Sequence, residues 1–272
     1  MYIPKPIDNK ITIPHLRKMK QDDEKFVCLT AYDYSFASLV EDCGIEVVLV
    51  GDSLGMVIQG HETTIPVTLD EICYHGKAVA AGLRNAMLML DMPFGSLNSP
   101  QQAIDNASVL LKATEAQVVK LEGGQTQLKT VETLAKFGIA SCSHLGLQPQ
   151  MVHKMGGYRV QGKARAAAEQ MLATALELEA AGTDLLLLEC VPAALAAEIT
   201  ERLEIPVIGI GAGVDVDGQI LVLHDVLNVT PGKKPKFSKN FMQGQSSIQA
   251  AIKRYVSEVK RRQFPDQTHI FT

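Results

Sequence analysis

Residues Val47 to Thr68 read VVLVGDSLGMVIQGHETTIPVT. The first four are β-branched or aliphatic with nothing polar among them, the pattern of a strand buried on both faces of a parallel sheet. Asp52 and Ser53 follow almost at once. A carboxylate where a buried parallel strand opens into a loop stands at the end of the strand that barrel enzymes use for chemistry. The loop beyond is long and polar, and Gly55, Gly60 and the His61-Glu62-Thr63-Thr64 run suit a flap that covers a ligand and excludes water. The rest of the chain decides whether other strands bring partners to Asp52.

Working outward, the same pattern recurs. Thr12 is placed to cap a helix through Ile13, Leu16 and Met19, expected to plug the barrel bottom or join a neighbour, ahead of a first strand at Phe26–Thr30. A helix ending at Gly44 leads into Val47–Val50. Next come a helix over 69–81, a strand over 86–90 ending in Asp91, and a helix from Ser99 with Pro100 at its first position. A strand over 117–122, a helix to Phe137 closed by Gly138, and a strand from Ile139 through Cys142 ending at Ser143-His144 follow. Residues 147–162 are Gly- and Gln-rich and read as a second long loop. The alanine-rich run 164–181 is a strong helix former, and 184–189 is again aliphatic, then acidic. A helix through Ile199 precedes a seventh strand within 206–213, and the eighth is placed in Ile220–Leu223 with His224-Asp225 at its end. Only a short Gly/Asp segment separates these last two strands, too little for a full helix, and the final helix spans about 245–261. Eight strands alternating with helices make an α/β fold: a (β/α)8 TIM barrel with an extra N-terminal helix, expected as one domain over residues 1–272.

Composition narrows the partners. A formal charge of −4 and no long basic run argue against nucleic acid or an anionic membrane, leaving a small molecule as the expected substrate. No leader pattern and no apolar run near the ~20 residues of a membrane helix is present, so a soluble, cytoplasmic protein is expected. Five cysteines without CxxC spacing are expected as buried thiols.

Asp52, Asp91, Glu122, His144 and Glu189 each terminate a hydrophobic run, so a closed barrel converges them on one mouth. Lys120 and Glu122, two apart in one strand, point to the same side and read as a costly inward pair. Carboxylates crowded into one cavity repel unless a cation sits among them, and an all-oxygen set favours Mg²⁺ over zinc. Each residue also has a bland reading. Asp52 or Asp91 could cap the next helix, and His144 could bond a loop carbonyl. His61, His75, His153 and His224 read as structural or surface residues. The Gly209–Gly213 run could cradle a phosphate or simply permit a tight turn.

The segments GDSLGMVIQGHETTIPVTLDE, LMLDMPFGS, VVKLEGG, SHLGLQPQ, LLLLECVP and IGIGAG…DGQILVLHD together resemble the ketopantoate hydroxymethyltransferase family, over about Thr12 to Val256. The resemblance implies a Mg²⁺-dependent barrel, assembled as a homodecamer, that transfers a hydroxymethyl group from 5,10-methylenetetrahydrofolate to 3-methyl-2-oxobutanoate through a Mg-stabilised enolate in pantothenate synthesis. It implies that Asp52, Asp91 and Glu122 serve the metal and that Asp52, Ser53, Asp91 and Lys120 hold the 2-oxo acid. Glu189 is the implied proton acceptor. At the end of a leucine-rich strand its pKa should be raised, as suits a base. Two other readings stay open. One is a Mg²⁺ barrel of the isocitrate lyase or phosphoenolpyruvate mutase kind, against which 147–162 contains no Cys. The other is a barrel that only binds or scaffolds.

Overall fold

The computed structural model describes every residue except Met1, Ile3 and Lys233. Strands β1 (Phe26–Thr30), β2 (Val47–Val50), β3 (Met87–Asp91), β4 (Val118–Glu122), β5 (Ser141–Gly146), β6 (Leu185–Glu189), β7 (Val207–Ile210) and β8 (Gly218–Leu221) close into a parallel barrel in chain order, β8 returning to β1. The helices are α1 (Ile13–Gln21), α2 (Tyr34–Asp42), α3 (Leu54–Val57), α4 (Leu69–Ala80), α5 (Pro100–Thr114), α6 (Leu128–Lys136), α7 (Val152–Met155), α8 (Arg165–Ala180), α9 (Ala193–Arg202), α10 (Leu223–Val226) and α11 (Ile248–Lys260).

Local chemistry starts and stops these elements where the residue pattern predicts. The Thr12 hydroxyl accepts from the His15 N–H at 3.3 Å, and Ser99 accepts from Gln102 at 3.2 Å with Pro100 opening α5. Thr68 and Glu71 form a reciprocal capping box at α4. Such caps contribute about 1 kcal/mol each. Gly44 lies just past α2 with φ +94°, and a side chain there would meet the Lys5 carbonyl at 2.8 Å. Helix α1 buries Leu16 and Met19, and the Lys20 ammonium donates to Thr200 O and pairs with Asp217, both at 2.8 Å. Asp217 immediately precedes β8, so α1 docks on the N-terminal end of the barrel, opposite the mouth. All five cysteines are buried and unpaired. No helix among the described residues is long and apolar enough to cross a membrane.

Two strands differ from expectation. β5 covers 141–146 rather than starting at Ile139 and ending at Ser143-His144, so His144 lies inside it, beside Glu122 of β4 and Leu187 of β6. Ser143 is tolerated in the core because the Thr183 hydroxyl serves both its N–H (3.2 Å) and its Oγ (3.0 Å). β8 covers 218–221, not 220–223. Gly218 starts it because the Phe26 ring fills the space a side chain would need, 2.3 Å from the Cβ position. The strand ends where the Leu223 N–H donates instead to Thr30 Oγ1 at 3.0 Å, which puts His224 and Asp225 in α10. Tyr255 of α11 ties this junction together, its hydroxyl bonding the carbonyls of Cys28 and Gln219, each at 3.0 Å.

As expected, no helix joins β7 to β8 among the described residues. The wall is completed there from the C-terminal segment: Phe237 and Phe271 pack against Gly211, and the Ala193 N–H donates to Phe271 O at 3.0 Å. The space beside Gly209 is filled by Val216 and that beside Gly213 by Ala193. The glycine run serves close packing and turning.

Candidate active site

The C-terminal ends of β2, β3, β4 and β6 carry Asp52, Asp91, Glu122 and Glu189, and His144 joins them from β5. All are buried except Glu189, whose side chain keeps 14% exposure. The Asp52 N–H donates to Asp91 Oδ2 at 3.0 Å, which fixes the two acids to each other. The other Asp91 oxygen is paired with the Lys120 ammonium.

That pairing corrects the expectation of a Lys120–Glu122 pair. Lys120 stands directly opposite Asp91 in the β3–β4 register. A cross-strand neighbour is about 5 Å away, against roughly 6.6 Å for the next residue on the same face of one strand, so the lysine turns sideways. Glu122 instead accepts the Gln150 N–H at 3.1 Å through Oε2, and its Oε1 is buried without a hydrogen-bond partner. Asp52 Oδ2 accepts from the Gln150 side-chain amide at 2.8 Å.

His144 lies between two carboxylates, Nδ1 3.7 Å from Glu122 and Nε2 3.4 Å from Glu189. Burial, with the Lys120 charge, holds the imidazole well below its ordinary range, so it is neutral and makes no ion pair. Neither ring nitrogen has a hydrogen-bond partner. Burial and then Asp91 raise Asp52 to about 7. Glu189 is raised to about 8, burial outweighing the pull of Lys120, and burial lifts Glu122 well above the usual carboxylate range. Burial opposes the charge on Lys120, but Asp91, Glu122 and Asp52 outweigh it and hold the ammonium above the ordinary lysine range.

Ser53 opens the loop after β2, its Oγ 2.8 Å from the hydroxyl of Tyr32. Tyr32 and Gln150 are the two residues of this mouth that sequence reasoning missed. The other histidines behave as expected: His61 and His153 are exposed, and His75 bonds the Tyr32 carbonyl at 2.7 Å. His224 stacks near the Tyr32 ring, centroids 5.6 Å apart. The expected flap begins as α3, and its Gly55 is demanded by packing, since a Cβ there would lie 2.7 Å from Val67. Across the mouth the Tyr158 hydroxyl lies 3.6 Å from the Met56 sulfur, joining the loops after β5 and β2. A cleft of about 250 Å³ lies beside Gln150, lined also by Ile65, Phe94, Met151, His153 and Lys154.

The donors fit a hard cation. They are all carboxylate oxygens, one of which, Glu122 Oε1, is buried with nothing to bond. Among the described residues no three His, Cys, Asp or Glu side chains form a ready-made cage.

Residues 10–267 match the ketopantoate hydroxymethyltransferase family. The chain is 56% identical over 261 residues to the 3-methyl-2-oxobutanoate hydroxymethyltransferase of Alkalilimnicola ehrlichii, covering 96% of this chain and 94% of that one. It is 51% identical over 271 residues to the enzyme of the same name from Cupriavidus necator, covering 100% and 99%. The fold is similar to phosphoenolpyruvate phosphomutase from Streptomyces platensis, with TM-score 0.59 at 12% identity over 80% of this chain and 83% of that one. It is also similar to 2,3-dimethylmalate lyase, a member of the PEP mutase/isocitrate lyase superfamily, with TM-score 0.57 at 12% identity over 79% of each chain.

Proposed function

The chain belongs to the ketopantoate hydroxymethyltransferase family, and from that premise we propose that it makes 2-dehydropantoate from 3-methyl-2-oxobutanoate with 5,10-methylenetetrahydrofolate as one-carbon donor. The observation that carries the reading is the row Asp52, Asp91, Lys120, Glu122 and Glu189, buried except for the partly exposed Glu189, which β2, β3, β4 and β6 bring to one barrel mouth.

Asp52, Asp91 and Glu122 would hold Mg²⁺, which when bound would supply Lewis-acid withdrawal of charge from the 2-oxo acid. Lys120, fixed on Asp91, supplies a permanent positive charge for the oxygen on which charge develops as the enolate forms. Glu189 takes the proton from C3. Its raised pKa makes it a stronger base than an ordinary carboxylate while leaving part of it ionised near neutral pH. C3 then bonds the one-carbon unit as it leaves folate, a water supplies the hydroxyl oxygen, and the folate nitrogens take up the protons released. Ser53, anchored by Tyr32, orients the substrate carboxylate beside Asp52. His144, neutral and close to Glu189, provides a polar contact without a competing charge. The segment from α3 to Thr64 shields the enolate from bulk water, leaving only the water that supplies the hydroxyl oxygen.

The same proposal includes assembly into a homodecamer, tested by sedimentation, and a cytoplasmic location, in keeping with five free buried thiols. The test of the chemistry is solvent-deuterium exchange at C3 of 3-methyl-2-oxobutanoate, followed by NMR with and without Mg²⁺, and then with the methylene folate added. Exchange that requires Mg²⁺, and ketopantoate once folate is supplied, is the expected result. Folded, Mg²⁺-loaded protein that does neither overturns the transferase reading.

A further inference from the structure

Gln150 stands between two carboxylates that reach the mouth from different strands. Its Nε2 donates to Asp52 Oδ2 at 2.8 Å and to Met92 O at 3.0 Å, while its own N–H donates to Glu122 Oε2 at 3.1 Å. The residue is buried, 8% exposed. One residue of the loop after β5 thus ties together acids placed by β2 and β4.

The pattern of occupied and free oxygens is what makes this informative. Gln150 takes Oε2 of Glu122, and Oε1 of the same group is left buried without a partner. It takes Oδ2 of Asp52 in the same way. A carboxylate held through one oxygen presents the other in a fixed direction, which is how outer contacts orient the groups that touch a metal. The residue type suits the task. A lysine here would compete with a cation, and a glutamate would add a further negative charge and remove the donor.

We infer that Gln150 is a positioning residue for the cation, its side-chain amide and backbone N–H together setting the separation and orientation of Asp52 and Glu122. The inference rests on the Mg²⁺ reading above and concerns how that ion is received.

The test is calorimetric titration of EDTA-treated protein with Mg²⁺ alone, in wild type and in Gln150→Met, which keeps the chain length and the backbone N–H but loses the amide donor. The dissociation constant should rise by about 10- to 100-fold. Gln150→Asn, whose amide sits one methylene short of Asp52, should shift it in the same direction and serves if the Met variant does not fold. Thermal unfolding of the metal-free proteins separates the roles, since a purely structural glutamine would lower stability and leave Mg²⁺ affinity alone. Unchanged affinity overturns the inference. Tighter binding also overturns it, because the amide would then be a competitor of the ion. Wild type that binds no Mg²⁺ removes the metal reading itself, and this inference with it.

Discussion

Asp52→Asn should make the metal-free protein more stable at alkaline pH, by an amount that follows from the burial of this one carboxylate. Burial and the neighbouring Asp91 raise Asp52 from an ordinary 3.8 to about 7. The folded state therefore holds the proton more tightly than the unfolded chain. The contribution of Asp52 to stability is complete below about pH 4 and is lost as pH rises through 7. At about 1.4 kcal/mol per pH unit of displacement, the loss between pH 5 and pH 8 is roughly 2–3 kcal/mol. Asparagine carries no titrating proton and can still accept from Gln150, so its stability lacks this decline. For a chain of this size the gap between variant and wild type should widen by about 5–10 °C in Tm from pH 5 to pH 8. Thermal unfolding followed by circular dichroism, in EDTA at one scan rate, measures it. Mg²⁺ at pH 8 should then raise the wild type and leave the Asn variant unmoved. Parallel stability curves for the two proteins across this pH range would refute the argument.

Glu189→Gln should keep Mg²⁺ and 2-oxo acid binding by calorimetry while turnover falls by roughly 10²–10⁴-fold. In the wild type, kcat/KM should climb with pH toward a plateau above about 8 as Glu189 loses its proton, and a flat profile would remove it from the role of base. Lys120→Met leaves the Asp91 carboxylate buried without its cation, which should cost about 3–5 kcal/mol in chemical denaturation. Gly218→Ala drives a methyl group into the Phe26 ring at the start of β8, and a loss of about 1–3 kcal/mol is expected there; wild-type stability in that variant would show that the strand gives way easily.

What could be read in the residues, and what could not, divides on physical lines. Strands β2, β3 and β6 were legible because each is an unbroken aliphatic run with an acid at its end or, for β2, two residues past it, and their acids do meet at one mouth. β8 was placed two residues late because Ile220–Leu223 carries the apolar signal, whereas Gly218 and Gln219 are buried for reasons of shape and hydrogen bonding. Gln219 is acceptable inside the barrel because its amide reaches Gly213 O at 2.8 Å. β5 was hidden by its serines and histidine: Ser143 finds its partner in Thr183, far along the chain, and His144 is buried with no hydrogen-bond partner at all. Lys120 was assigned the wrong partner because spacing along one strand is visible in a sequence and register across strands is not. Gln150 left no local mark beyond a Gln-rich loop, since its contact to Asp52 spans 98 residues.

The closure of the barrel also sets a timetable. The Tyr255 hydroxyl that secures β1 to β8 reaches the Cys28 carbonyl across 227 residues. At the usual 5–20 residues per second of synthesis, about 10–45 s separate the making of these two ends. Until β8 is made, late in that interval, β1 can have β2 on one side and an unpaired edge on the other, a surface on which another nascent chain could add a strand. The first strand to be made thus waits for the last strand to cover its edge and for the C-terminal helix to secure the junction.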